Sequence, residues 1–376
     1  MNISSLSLAM HRKLNGKIST ISKVPIKTKK MLSLLYTPGV ASVSKYIYRH
    51  PDSIRDLTIQ KNTVAVVTDG SAVLGLGNIG PLAAIPVMEG KCAIFKEFGD
   101  LDAFPICLNT QDTNEIISII RNISPVFGAI NLEDIGSPRC FEIEKKLQNL
   151  DIPVVHDDQH ATSIAVLAAL LNAVKVVGKN ISECKIVIVG SGAAGYAITK
   201  LLLFYKVKKI IVLDSKGILS PKRSSLPIHK QELATLTNPE NIIGGLQKAA
   251  KNADVLIGVS TKNLFTKGII TNLNKSSIVF ALSNPDPEIK PNLAKKWGVS
   301  VIAAGRSDYP NQINNALVYP GLFKGLIKTN KRLTMELKVK IAIRIASLVP
   351  HPNPNRIIPS IFEKGLVSAI YTSFTL

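Results

Sequence analysis

The sequence predicts an α/β protein in two parts, an N-terminal α/β domain followed by a doubly wound one, and three observations carry that prediction. Short runs of β-branched residues alternate with stretches of helical apolar spacing along most of the chain. Two early runs, Phe127 to Ile135 and Ile152 to Thr162, close on acidic pairs, Glu133 with Asp134 and Asp157 with Asp158. A later stretch, CKIVIVGSGAAGYAITKLLLFYKVKKIIVLD, reads as strand, glycine-rich turn, helix and second strand. The organisation that follows is residues 1–160 and 161–376, joined by an apolar helix from Ala161 to Val177.

At 376 residues and 46% hydrophobic content the chain is long and apolar enough for two ordered domains. A formal charge of +20 raises the possibility of a nucleic-acid partner, but aromatic residues are only 5% and the basic residues are dispersed, so neither a stacking platform nor a basic stripe forms. An anionic small molecule would still gain from that field. Cys92, Cys107, Cys140 and Cys184 form no C-x-x-C pair, which reads as reduced thiols in a cytoplasmic protein. The N-terminus is a poor signal peptide, and the longest apolar helix, near Ile164 to Val177, is too short to cross a bilayer.

In the N-terminal part, residues 1–30 predict a helix and an extended arm, ending before the Tyr36-Thr37-Pro38-Gly39 turn. A buried strand at Lys61 to Gly70 leads into a loop containing Gly75, Gly77 and Gly80, whose glycines let backbone close over a small ligand. Lys91 is expected at the start of another apolar strand, KCAIFKEF; facing acids and a metal, its pKa would fall towards that of a usable base. Helices are expected over Asn114 to Ile123 and Pro138 to Leu147. The paired acids of HDDQH have two readings. One is a solvated turn capping the following helix; the other is a divalent-cation site, because two strands ending in acids can bring three carboxylates to one point. Such a donor set suits Mg²⁺ or Mn²⁺.

In the C-terminal part, Gly190-x-Gly192-x-x-Gly195 follows an all-apolar strand and opens a helix, and Asp214 ends the next strand. This context is that of a Rossmann-type dinucleotide fold, with a pyrophosphate on the helix N-terminus and Asp214 accepting from ribose hydroxyls. That favours NAD, while Lys216, Lys222 and Arg223 leave NADP open. Strands NADVLIGVS, SSIVFALSNP and GVSVIAAG continue the alternation. Asn284 and the Asn314-Asn315 pair follow such strands, where amides orient ligands or form turns. Beyond Gly321 the chain reads as helical to Leu348, with a covering tail at Pro350, Pro352 and Pro354.

Together these blocks resemble the malic enzymes of the short bacterial and archaeal type. YTPGVA at Tyr36, VVTDGSAVLGLGNIGPLAAIPVMEGK ending at Lys91, FKEFGDLDAFPI, INLEDI, IPVVHDDQHAT, VGSGAAG, SNPDPE and NNALVYPG fall in family order between Leu34 and Lys324. The resemblance implies decarboxylating oxidation of (S)-malate to pyruvate with NAD or NADP. It implies metal ligands Glu133, Asp134 and Asp158, Lys91 as general base and Tyr36 as general acid. It further implies cofactor contacts from Gly190, Gly192, Ala193, Ala194, Gly195, Asp214 and Asn284, substrate contacts from Asn284 and Asn315, and a homodimer. Larger eukaryotic members carry an arginine after TDG, where this chain has Ser71 and Ala72. The rival readings are a non-decarboxylating NAD-dependent dehydrogenase and a basic nucleic-acid-binding protein.

Overall fold

The computed structural model describes residues 3–375. Two separate sheets organise it, as the two-part reading expected. Strands β1 (Thr63–Thr68), β2 (Asp102–Cys107), β3 (Ala129–Leu132) and β4 (Val154–His156) form a parallel sheet in the order β2-β1-β3-β4. Strands β5 (Lys185–Val189), β6 (Lys209–Asp214), β7 (Gly217–Ile218), β8 (Val255–Gly258), β9 (Ile278–Ala281) and β10 (Val301–Ala304) form the second, ordered β10-β9-β8-β5-β6-β7. Only β7 runs antiparallel, to β6. Every residue of β1 is buried, which is why it reads as a continuous TVAVVT run rather than an alternation.

The helix Gly80–Gly99 corrects the reading of KCAIFKEF as a strand. Its buried positions are Ala84, Met88, Lys91, Cys92, Phe95 and Gly99, one face of a 3.6-residue period, and Pro81 sits in the first turn where its missing N–H costs nothing. A short apolar run does not distinguish buried strand from buried helix by itself. Lys91 therefore projects from mid-helix.

A second correction concerns the helix after β4, which begins at Asp157, not Ala161, and runs 20 residues to Val176. Both aspartates thus lie in its first turn, where the positive end of the helix dipole favours anions. By length it could cross a bilayer, yet 72% of its apolar window is buried inside the protein, packed between the helices Ala193–Phe204 and Met335–Ser347. The expected continuous helix beyond Gly321 is also broken. Tyr319–Thr329 ends at left-handed Asn330 (φ 51°), and Met335–Ser347 restarts where the Thr334 hydroxyl accepts the Leu337 N–H at 3.2 Å.

The expected helix and arm at the start are present as Ile3–Leu14 and an irregular stretch. Helices Lys29–Leu35 and Val40–Arg49 follow, and none of these three helices has a buried residue.

Candidate active site

β3 and β4 are neighbours in register, so the acids that follow them emerge side by side. Asp134 takes a left-handed conformation (φ 52°), and its N–H donates to Asp158 Oδ2 at 3.0 Å. The Ala72 N–H donates to the Asp134 carbonyl at 2.9 Å, tying the loop after β1 to the same point. Carboxylate oxygens of Glu133, Asp134 and Asp158 lie within 4.8 Å of one another. Asp134 Oδ2 is buried without a hydrogen-bond partner.

Three crowded carboxylates resist ionisation. Burial, reinforced by Asp158 and Glu133, pushes Asp134 up to about 9. Burial likewise raises Glu133 to about 7 and Asp158 to about 6, although Lys91 pulls both down. An unpartnered buried oxygen and three hard donors short of positive charge fit a divalent cation of the Mg²⁺ or Mn²⁺ class.

Lys91 faces this cluster from the helix Gly80–Gly99. Its ammonium contacts Glu133 Oε1, lies 2.5 Å from Asp157 Oδ2, and stands 4.5 Å from the centre of the Tyr319 ring. The depressed pKa is expected beside a bound cation; the protein's own groups act the other way. Burial lowers it, but Asp157 and Glu133 more than offset burial and hold the lysine well above its ordinary value. Asp157 is thus the lysine's partner rather than a cap or a solvated turn residue.

Behind the cluster, buried Glu144 accepts the His156 N–H at 2.8 Å and the Gln159 amide at 3.0 Å, and pairs with His160 Nε2 at 2.9 Å. This clamp fixes the turn that carries Asp157 and Asp158. Sequence reading missed Glu144 and Tyr319. NNALVYPG contains the tyrosine, whereas nothing local marks Glu144, which gains its role only through tertiary packing.

The acids and Lys91 line a cavity of about 650 Å³ that both sheets share. Asn284 and Asn315 line it too, as does Ala194. Asn314 does not offer its side chain freely, since its Oδ1 accepts the Ala316 N–H at 2.9 Å. Buried Glu288 holds the Asn284 loop by accepting the Ser260 and Ser283 N–H groups at 3.0 and 3.1 Å. The loop of Gly75 lines the same cavity, with Ala72, Leu74 and Gly75 on its wall, and meets the Asn284 segment directly. A Cβ at Gly75 would lie 1.9 Å from the Asn284 carbonyl oxygen. Gly75→Ala should therefore force the two halves apart at a cost of about 1–3 kcal/mol. A wild-type melting temperature and cofactor affinity in that variant would contradict the contact.

The fingerprint turn packs as its spacing requires. A Cβ at Gly195 would sit 1.8 Å from the Gly190 carbonyl, so the helix can approach the turn only as glycine. A Cβ at Gly192, the N-cap of the helix Ala193–Phe204, would meet only Ser137 Oγ, at 3.6 Å. Ala193 packs on the core cluster of the first sheet. Asp214 is already engaged. Against burial, which raises it, hydrogen bonds from Arg223 (2.9 and 3.0 Å) and Lys230 (3.0 Å) bring its carboxyl down to about 2. Tyr36 is not brought to the cavity: it caps Lys29–Leu35, is 67% exposed, and is absent from the lining.

Comparison with known proteins agrees with this architecture. Residues 15–148 match the malic enzyme N-terminal domain, and residues 159–370 the malic enzyme NAD binding domain. The chain belongs to the malic enzyme family. It is 50% identical to the NAD-dependent malic enzyme of Geobacillus stearothermophilus, over 98% of this chain and 78% of that one. It is 45% identical to the bifunctional malic/malolactic enzyme of Bacillus subtilis, over 98% and 92%. The solved NAD-dependent malic enzyme of Thermotoga maritima superposes with a TM-score of 0.95 at 46% identity, covering 98% of both chains. The α/β reading, with a nucleotide-binding domain following the first, stands.

Proposed function

We propose that this malic enzyme oxidises (S)-malate with NAD or NADP and releases CO₂ and pyruvate, and that Glu133, Asp134 and Asp158 hold Mg²⁺ or Mn²⁺ for the reaction. The observation that carries the reading is the convergence of three carboxylates and a buried lysine on a cavity shared with the nucleotide-binding half. A bound divalent cation supplies Lewis-acid polarisation of the substrate's oxygens. Lys91 is the base that takes the C2 hydroxyl proton while hydride leaves for the nicotinamide. Its two carboxylates differ in kind. Asp157 belongs to the lysine alone, whereas Glu133 is also a candidate ligand, and engaging Glu133 elsewhere leaves the ammonium with a single partner and a weaker hold on its proton. Asn284 and Asn315 orient the substrate by their amides, and the turn Gly190 to Gly195 receives the pyrophosphate. The deciding assay follows reduced nicotinamide and CO₂ together, with malate, either cofactor, either cation, and chelator. Hydride transfer without CO₂, or turnover indifferent to chelator, would sink the reading.

The protein acts as a homodimer in this proposal, and Tyr36 protonates C3 of the enol product in the site of the other copy. Support comes from the three N-terminal helices, which expose Tyr36, Val43, Tyr46 and Tyr48 and bury nothing. Unpaired thiols at all four cysteines accord with a cytoplasmic setting. Tyr36→Phe should slow protonation more than hydride transfer. Mixed with Lys91→Ala in equal amounts, two inactive variants should regain about a quarter of wild-type activity, because half the dimers then hold one intact site. No recovery after subunit exchange would place both residues in one copy's site.

A further inference from the structure

A dianionic substrate needs a positive charge to meet, and Lys91 cannot supply it while Asp157 and Glu133 neutralise it. Glu133, Asp134 and Asp158 line the same cavity, so with Lys91 and a divalent ion the wall charges sum to zero. The other lysine on the lining is Lys17, from the segment after the helix Ile3–Leu14. That segment is docked. The Lys17 N–H donates to Glu89 Oε2 at 3.3 Å, and its ammonium donates to the Pro86 carbonyl.

Both anchors belong to the helix Gly80–Gly99, which also carries Lys91, so the two lysines share one support. Room for the ammonium exists because residue 90 is glycine; a Cβ there would lie 3.3 Å from Lys17 Nζ. The ammonium's bonded acceptor is a neutral carbonyl, and Glu89, the carboxylate whose charge acts on it, is hydrogen-bonded to the Lys17 backbone N–H instead.

We propose that Lys17 is a specificity-determining residue whose ammonium holds the malate carboxylate that the divalent cation leaves free. The inference rests on the malate reading above. That carboxylate departs as CO₂, so a cation beside it favours bound malate over the transition state of its loss. Lys17 accordingly acts on binding more than on chemistry.

The test is calorimetric, on cation-loaded enzyme saturated with NADH, with malate and oxalate as separate ligands. Oxalate offers only the two adjacent carboxylates that chelate a cation, and no further anionic group. Lys17→Met should weaken malate on the order of ten- to a hundred-fold, the value of a charged hydrogen bond, while oxalate binding changes by less than about threefold. Lys17→Arg should restore most of the malate affinity, and in Lys17→Met KM should rise without a fall in kcat. Parallel loss of both ligands, or no loss of either, overturns the assignment. Wild-type enzyme that binds oxalate but neither binds nor oxidises malate overturns the parent reading, and this inference with it.

Discussion

Lys91→Ala should lose about two to four orders of magnitude in kcat for malate oxidation, the usual contribution of a positioned general base, while still binding the dinucleotide. The nucleotide turn at Gly190 to Gly195 lies in the other sheet's half, so its affinity reports folding of that half independently of the base. A structural effect will accompany the catalytic one. Removing the cation of a buried ion pair strands its partners, here Asp157 and Glu133, at a cost of about 3–5 kcal/mol when they stay charged. They escape that cost by protonating, because burial already pushes Asp157 up to about 6 and Glu133 to about 7 with the lysine present. The variant should therefore be nearly as stable as wild type in mild acid and clearly less stable above neutrality. Melting curves across pH separate this from a catalytic role. Full turnover by a folded variant would remove Lys91 as the base.

How much of this site was legible in the sequence differs residue by residue. The acids were, because a strand ending in carboxylates is a local pattern and two parallel neighbours align their ends. The fingerprint was, because its glycines follow an apolar strand and open a helix. Lys91 was legible as a residue but not as a position. CAIF is too short to reveal its period, and the buried face appears only when Ala84 and Phe95 are counted with it. Its raised pKa was not legible, since the sign of the shift depends on two carboxylates reaching the ammonium from different elements. Tyr36 was named as a site residue only through the family resemblance, and Lys17 not at all. The first is set by a helix that buries nothing in its own chain, and the second by how an irregular arm docks on Glu89 and Pro86.

Stripping the cation should produce a protein whose stability declines as pH rises, and restoring it should matter more at each higher pH. Asp134, Glu133 and Asp158 have folded-state pKa values of about 9, 7 and 6, burial being the first cause in each. Unfolded carboxyls titrate near 4. A group raised on folding contributes stability that is complete below its unfolded pKa and lost as pH climbs through its folded one. For this cluster the loss runs from about pH 4 to about pH 9. A divalent ion replaces those protons, so its affinity must rise over the upper part of the same window. At a concentration a hundred times its dissociation constant it stabilises the fold by about 2.7 kcal/mol. The measurement is the melting-temperature difference between Mn²⁺ and chelator, expected to be small near pH 5 and large near pH 8. Asp134→Asn should erase most of that difference while barely harming the stripped protein, since Asp134 Oδ2 has no partner to lose. A variant that keeps the full cation-dependent shift would mean the ion binds elsewhere, and the three carboxylates would need another explanation for their unrelieved repulsion.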